Sequence, residues 1–476
     1  MTFQGVPPAS TERRRFLTRA LPGLAGLATT WLLADSGVAR AGVHFPPKAK
    51  RAIWLFMAGA PSQLDLFDYK PELADRYDQD LPESVRQGQR LAQAAYQTRF
   101  PIAPSRFAFS RAGQSGAWVS ELLPYTARIV DDIAIVKTVN TESVNHDPAI
   151  LAMNTGNALP GKPSVGAWLS FGLDDIDQNV PSFAVMTSRM SRSGDAQALT
   201  GSLWGSGFLP ARHAAVSIRS SGDPVLYLPN PPGIDVTVRR RMLDAVGALN
   251  AEASRRNADP SAAERTAQYE LAFRMQSSVP ALVDLSVESP ATLDLYGPDA
   301  TTPGTFAHNC VLARKMMEQG VRFVQIYQRG WDAHVGLPSN HVDQCRDMDQ
   351  ACYGLVTDLK QRGLLDDTLV VWGGEFGRTV FCQGPLTRDD YGRDHHPRCF
   401  TMWLAGGGIR PGIVHGETDD FGYNVVSGSV PLADLHATIL HQFGFDHRLL
   451  TFRHAGLDQK LTGTGETAAV VEDLLA

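Results

Sequence analysis

The chain has 476 residues, 43% of them hydrophobic and 20% charged, so it can bury a large core without disulfide or metal staples. A formal net charge of −6 argues against nucleic acid as a partner. Five cysteines, an odd number confined to the last third, do not describe a disulfide-built scaffold.

The chain opens with Arg13-Arg14-Arg15-Phe16-Leu17, which carries the Arg-Arg-x-Phe-Leu core of a twin-arginine export signal, although the usual flanking Ser and Lys are absent. A mild apolar stretch, Ala20 to Leu33, follows; it is too short and too weak for a stable membrane span. Ala39-Arg40-Ala41 supplies the small residues a signal peptidase needs. The expectation is a signal peptide over residues 1–41, cleavage after Ala41, and a periplasmic or secreted mature chain that meets the twin-arginine translocase during export. The signal carries about +3, which leaves the mature protein near −9 with no transmembrane segment.

Six short, fully apolar runs read as strands buried on both faces: Ala52 to Met57, Ile133 to Val139, Phe183 to Met186, Val321 to Tyr327, Thr368 to Trp372 and Phe400 to Leu404. Helical patterns at Phe306 to Gln319, His341 to Arg362 and Leu432 to Phe443 alternate with them, which predicts an α/β sandwich around a mostly parallel sheet. Residues 188 to 235, rich in Ser, Gly and Pro, read as a surface excursion, and Val236 to Met275 as a helical insertion; both fall within residues 188–300, read as the excursion and insertion of a domain spanning 42–476. Cys345 and Cys352 would stand roughly 10 Å apart on one helix, too far to bridge. Cys382 and Cys399, bracketing a polar loop, are the candidate pair.

Ligands of open α/β sheets collect at the carboxyl ends of the strands, so the residues that follow each strand matter most. After the first strand, Asp65 and Asp68 offer oxygen to a cation, or Asp65 caps a helix. After the second, Asn145-His146-Asp147-Pro148 suits either an anion at a helix N-terminus or a simple Asp147 cap. Asp332 and His334, two apart in extended chain, point the same way and suit a transition metal; His341 follows at a helix start, as a further ligand or merely solvated. Gly373 to Thr379 presents Glu375 as a hard ligand and Arg378 as a fork for phosphate or sulfate, or the two pair on the surface. Asp394-His395-His396-Pro397 adds adjacent imidazoles with a carboxylate before the last strand.

Phe56-Met57-Ala58-Gly59-Ala60-Pro61-Ser62-Gln63-Leu64-Asp65, Asn145-His146-Asp147-Pro148, Gly330-Trp331-Asp332-Ala333-His334, Gly373-Gly374-Glu375-Phe376-Gly377-Arg378 and Asp394-His395-His396-Pro397 resemble the family named domain of unknown function 1501. The resemblance runs over essentially the whole mature chain. It implies twin-arginine export and an alkaline phosphatase-like three-layer α/β/α sandwich, in a superfamily that includes sulfatases and metal-dependent phosphoglycerate mutases. His146-x-Pro148, with Thr155-Gly156 beyond, resembles the sulfatase Cys-x-Pro-Ser-Arg frame, so His146 stands where the sulfatase nucleophile would be. Ala149 and Ile150 replace the Ser-Arg pair. Glu375-Phe376 replaces the superfamily's late Asp-His pair, and Ala437 replaces the Pro of its closing helix.

The combined expectation is a metal-dependent hydrolase acting on an anionic phosphate or sulfate ester. Asp332, His334, Glu375 and His395 or His396 would hold a divalent ion, with Asp65 as an extra ligand. Zinc, calcium and manganese all remain open. His146 would be nucleophile, general base or ligand, and Arg378 would neutralise the substrate. The alternative is a non-catalytic periplasmic or surface binding or assembly protein on the same fold.

Overall fold

The computed structural model describes residues 42–173, 180–190, 197–219, 223–225, 230–257, 261–465 and 467–476. The expected signal peptide, residues 1–41, and the expected cleavage site after Ala41 lie outside the described residues. Each predicted strand forms within two residues of its expected ends: Arg51–Met57 (β1), Ile133–Asn140 (β2), Phe183–Thr187 (β3), Phe323–Gln328 (β5), Thr368–Gly373 (β6) and Phe400–Ala405 (β9). Mostly apolar, buried side chains explain this, because each strand is covered on both faces along most of its length.

Three very short strands escape sequence reading, Val216–Ser217 (β4), Ile413–His415 (β10) and Val430–Pro431 (β11). The sheet runs β10-β2-β9-β6-β1-β5-β3-β4, with β11 also pairing with β2. Only β9 is antiparallel to its neighbours, β2 and β6. All other pairs are parallel. The carboxyl ends of β1, β2, β5 and β6 therefore share one edge, and the reversal of β9 brings its start to the same edge.

Alternation along β1 divides the core. Ile53, Leu55 and Met57 face a cluster that includes helices Ser261–Val283 (α4), Phe306–Glu318 (α5) and Leu337–Gln361 (α6). Trp54 and Phe56 face the other side, with His146–Thr155 (α1), Val165–Leu173 (α2) and Leu432–Gln442 (α7). This is a three-layer α/β/α sandwich on a mostly parallel sheet. The helical insertion is a hairpin of Val236–Asn257 (α3) and α4, and it runs eight residues further than expected, to Val283. Helix α6 begins at Leu337, four residues before its predicted start, with Pro338 in its first turn.

Two expectations fail here. Gly377–Gln383 (β7) and Gly392–His396 (β8), read as loop, form an antiparallel hairpin outside the main sheet. All five cysteines are free and buried, so Cys382 and Cys399 do not bridge. Cys382 Sγ turns to the carbonyls of Gln383, Gly384 and Pro385, whereas Cys399 Sγ faces His396 and Gly422 O. No helix of the described residues is long and apolar enough to cross a membrane.

The central position of β1 yields a stability test. Leu55→Ala, at a fully buried position, should cost about 2–5 kcal/mol, read as a lower urea midpoint with an unchanged far-ultraviolet circular dichroism spectrum.

Candidate metal centre

At the shared edge, four side chains from three segments converge. His146 is the first residue of α1, which starts after β2; Asp332 and His334 lie between β5 and α6; His395 belongs to β8. One ligand atom from each lies within 4.8 Å of all the others. His334 Nε2 stands 3.0 Å from Asp332 Oδ1, His395 Nε2 3.7 Å from the same oxygen, and His146 Nε2 3.1 Å from Oδ2. Ligands around a tetrahedral ion with bonds of ~2.0–2.1 Å lie about 3.4 Å apart, so this spacing needs little adjustment.

Each imidazole is fixed through its other nitrogen. His146 Nδ1 meets Glu375 Oε1 at 2.6 Å, His395 Nδ1 meets Val144 O at 2.7 Å, and His334 Nδ1 meets Gln383 Oε1 at 2.5 Å. Carbonyl and carboxylate oxygens only accept, so each Nδ1 carries a proton and, in the neutral ring, Nε2 presents a lone pair. All three Nε2 atoms are buried and lack a hydrogen-bond partner. Apart from the donor that Arg378 gives to Asp332 Oδ1, the neutral rings and the carboxylate present only acceptors to one another, an arrangement that a cation resolves. The donor set of three imidazoles and one carboxylate fits a tetrahedral transition-metal ion and departs from the all-oxygen shell that calcium prefers.

The electrostatics agree. Burial opposes the charged form of Asp332, yet its surroundings, the Arg378 guanidinium foremost, outweigh it and hold the carboxyl well below its usual range. Burial pulls His395 down to about 4 despite Asp332, so its ring is neutral at pH 7. Burial also pulls on His146, but its contacts with Asp332 and Glu375 win, and its pKa is raised. The Phe376 ring packs 5.0 Å from the His146 ring and 4.6 Å from that of His395, keeping water from that side.

The remaining predicted site residues stand elsewhere. Glu375 is fully buried and lies outside the four-residue cluster; it orients His146 and accepts from Gly59 N at 2.9 Å. Arg378 is also fully buried and offers no free fork to an anion. Its Nε donates to Ala60 O at 3.0 Å, Nη1 to Arg393 O at 3.3 Å, and Nη2 to Gly59 O and, at 2.6 Å, to Asp332 Oδ1. Asp65 accepts from Ser62 Oγ, Tyr391 Oη and Arg393 Nε at 2.5, 2.7 and 2.9 Å, so its lone pairs are already engaged. Burial raises the Asp65 pKa, but Arg393, His341, Ser62 and Tyr391 together lower it. His396 turns to Tyr423 O and Gln89. His341 accepts from Ser62 N, and burial holds its pKa down to about 3.

Arg393 and Gln383 are the contributors that sequence reading missed. The β7–β8 hairpin positions both, and a register shift between Arg393 and His395 sets the direction of His395. A fully apolar run betrays a core strand; this hairpin places buried Arg378, Thr379, Arg393, Asp394, His395 and His396 around the short Val380-Phe381-Cys382 run, so the pattern was invisible. Gly59, at φ +110, is required by close approach: a Cβ there would lie 2.5 Å from Asp332 N.

The family described as Protein of unknown function (DUF1501) matches residues 49–475, and the chain belongs to it. A search of curated proteins finds no match. Among solved structures, a sulfatase from Pseudoalteromonas sp. is similar at 13% identity, covering 95% of this chain and 77% of that one, with a TM-score of 0.33. The alkaline phosphatase from the Antarctic bacterium TAB5 shares 13% identity over 77% of this chain and 94% of that one, TM-score 0.29. A phosphonate monoester hydrolase from Silicibacter pomeroyi shares 12% over 68% of each chain, TM-score 0.28.

Metal analysis by mass spectrometry should find one divalent ion per chain, lost in His334→Ala and His395→Ala. Asp65→Asn should keep the ion while losing about 3–5 kcal/mol of stability, because it leaves the Arg393 charge buried and unpaired. Loss of the ion in Asp65→Asn would place Asp65 in the centre after all.

Proposed function

We propose that this DUF1501 protein is an exported, metal-dependent hydrolase of phosphate or sulfate esters. The supporting observation is the convergence of three partnerless imidazole nitrogens on Asp332 at the strand-end edge, where α/β sheets place their ligands. His146, Asp332, His334 and His395 would hold the ion, and zinc or manganese suits their donor set better than calcium. When bound, the ion would have to take the ester oxygen or a water as a further ligand beside these four, and it would then polarise that oxygen or make that water acidic enough to attack at neutral pH.

On this reading His146 is a ligand, chosen from the three roles its position allowed. Glu375 fixes its ring so that Nε2 faces the cluster. Arg378 is a positioning residue that holds Asp332 and the carbonyls of Gly59 and Ala60 in one frame. The substrate's oxyanion is left to the N-terminus of α1. Asn145 is extended there and makes no side-chain cap bond, so the first-turn amides keep donors for an anion beside His146. The signal sequence at Arg13-Arg14 supports export and working in the periplasm or outside the cell.

Metal-loaded protein should hydrolyse members of a broad panel of phosphate and sulfate monoesters, with His334→Ala at background. Glu375→Gln should weaken metal affinity about 10–100-fold. A protein that takes up no metal and turns over no ester would instead support the binding or assembly role. Exchanging both Arg13 and Arg14 for Lys should strand the precursor in the cytoplasm, and N-terminal sequencing of the exported form should begin at Gly42.

A further inference from the structure

The hairpin that delivers His395 also runs against the chain around His334. Arg393 N donates to Ala333 O at 3.2 Å and Leu337 N to Tyr391 O at 2.9 Å, so the start of β8 and residues 333–337 lie side by side, joined through their backbones. Between these two bonds stands Gly392. A Cβ there would lie 1.7 Å from His334 O, 2.2 Å from His334 C and 2.7 Å from Val335 N. All three are backbone atoms, so no side-chain rotation relieves the overlap. Gly392 lies in a strand, outside the positive-φ region, so a side chain is excluded there by space and not by backbone conformation.

Across the hairpin Gly392 pairs in register with Gln383. Side chains at directly opposed positions share one face of the ladder, about 4.5–5.5 Å apart between Cβ atoms. The peptide after His334 therefore fills the place that a side chain at 392 would take, and the imidazole meets the side chain beside that place: His334 Nδ1 lies 2.5 Å from Gln383 Oε1. One cross-strand pair thus sets both the backbone and the ring of one ligand. On its other edge β7 is tied to residues 101–103, through Ala103 N to Val380 O at 3.0 Å and Cys382 N to Pro101 O at 2.8 Å, which opposes a shift of the hairpin to make room.

We infer that Gly392 is a positioning residue for His334: its missing side chain lets β8 close on the 334–335 peptide and so holds the imidazole at the distance the cluster requires. The inference rests on the metal reading of that cluster. Sites of this kind need their groups held within about 0.5 Å, whereas restoring ordinary contact around a Cβ at 392 would move the peptide by about 1 Å or more.

The test compares Gly392→Ala with Gly354→Ala by melting temperature, zinc affinity and the visible spectrum of the cobalt(II)-substituted protein. Gly354, inside α6, is a tight glycine of a different contact, where a Cβ would lie 2.8 Å from Tyr296 Cα. Both variants should melt at lower temperature, but only Gly392→Ala should bind zinc about 10–100-fold more weakly and alter the cobalt d–d bands. Gln383→Ala, which removes only a half-buried side chain from the same pair, should show the same loss, and it decides the question where Gly392→Ala does not fold. Wild-type affinity with an unchanged cobalt spectrum in the deciding variant would overturn the inference, as would an equal loss of affinity in Gly354→Ala. A wild-type protein that takes up neither zinc nor cobalt would sink the metal reading itself, and this inference with it.

Discussion

The Asp332 carboxylate faces three imidazole nitrogens that, in neutral rings, have no proton to give it, and the architecture of the sheet edge is arranged to make that confrontation stable. Glu375, Val144 O and Gln383 each hold one ring by its opposite nitrogen. Arg378 supplies the positive charge that keeps Asp332 ionised while anchoring the loop after β1 through its carbonyls. Removing any one support would let a ring rotate or the carboxylate take a proton, and the convergence of lone pairs would dissolve. A cation is the partner such a geometry lacks, which is why the outer contacts carry as much of the argument as the four ligands.

A second buried carboxylate shows the opposite solution. Asp65 sits at the same sheet edge, yet its charge is met by Arg393, whose other donors reach the carbonyls of Thr379, Val380 and Ala103. The hairpin of β7 and β8 thus delivers a guanidinium to one carboxylate and an imidazole to another. Asp65 contributes a rigid floor under the loop after β1, and a single ion accounts for the unspent ligand atoms of the cluster.

The strands and most helices were legible because burial on both faces demands mainly apolar runs, as in Ala52 to Met57. The parallel order pointed to the strand-end edge, and the Asp332/His334 spacing and the His395-His396 pair stood out there, without showing which of the two adjacent histidines would join the cluster. The roles of Arg378, Glu375 and Asp65 were not. A buried arginine bonded to carbonyls and one poised for a substrate look identical in sequence, since the difference lies in which acceptors tertiary packing brings within 3 Å. The helix pattern after Asp332 likewise hid that His341 would be buried against Ser62 N, because the turn holding residues 60 to 66 is set by contacts over 270 residues away.

The central claim, that His146, His334, His395 and Asp332 form one first coordination shell, is tested most directly by X-ray absorption at the K-edge of zinc or manganese in the reconstituted protein. The account predicts imidazole scattering from three nitrogens and one carboxylate oxygen at about 2.0–2.2 Å, with one imidazole lost in His146→Ala. A shell of oxygens alone, or one unchanged by His146→Ala, would contradict it.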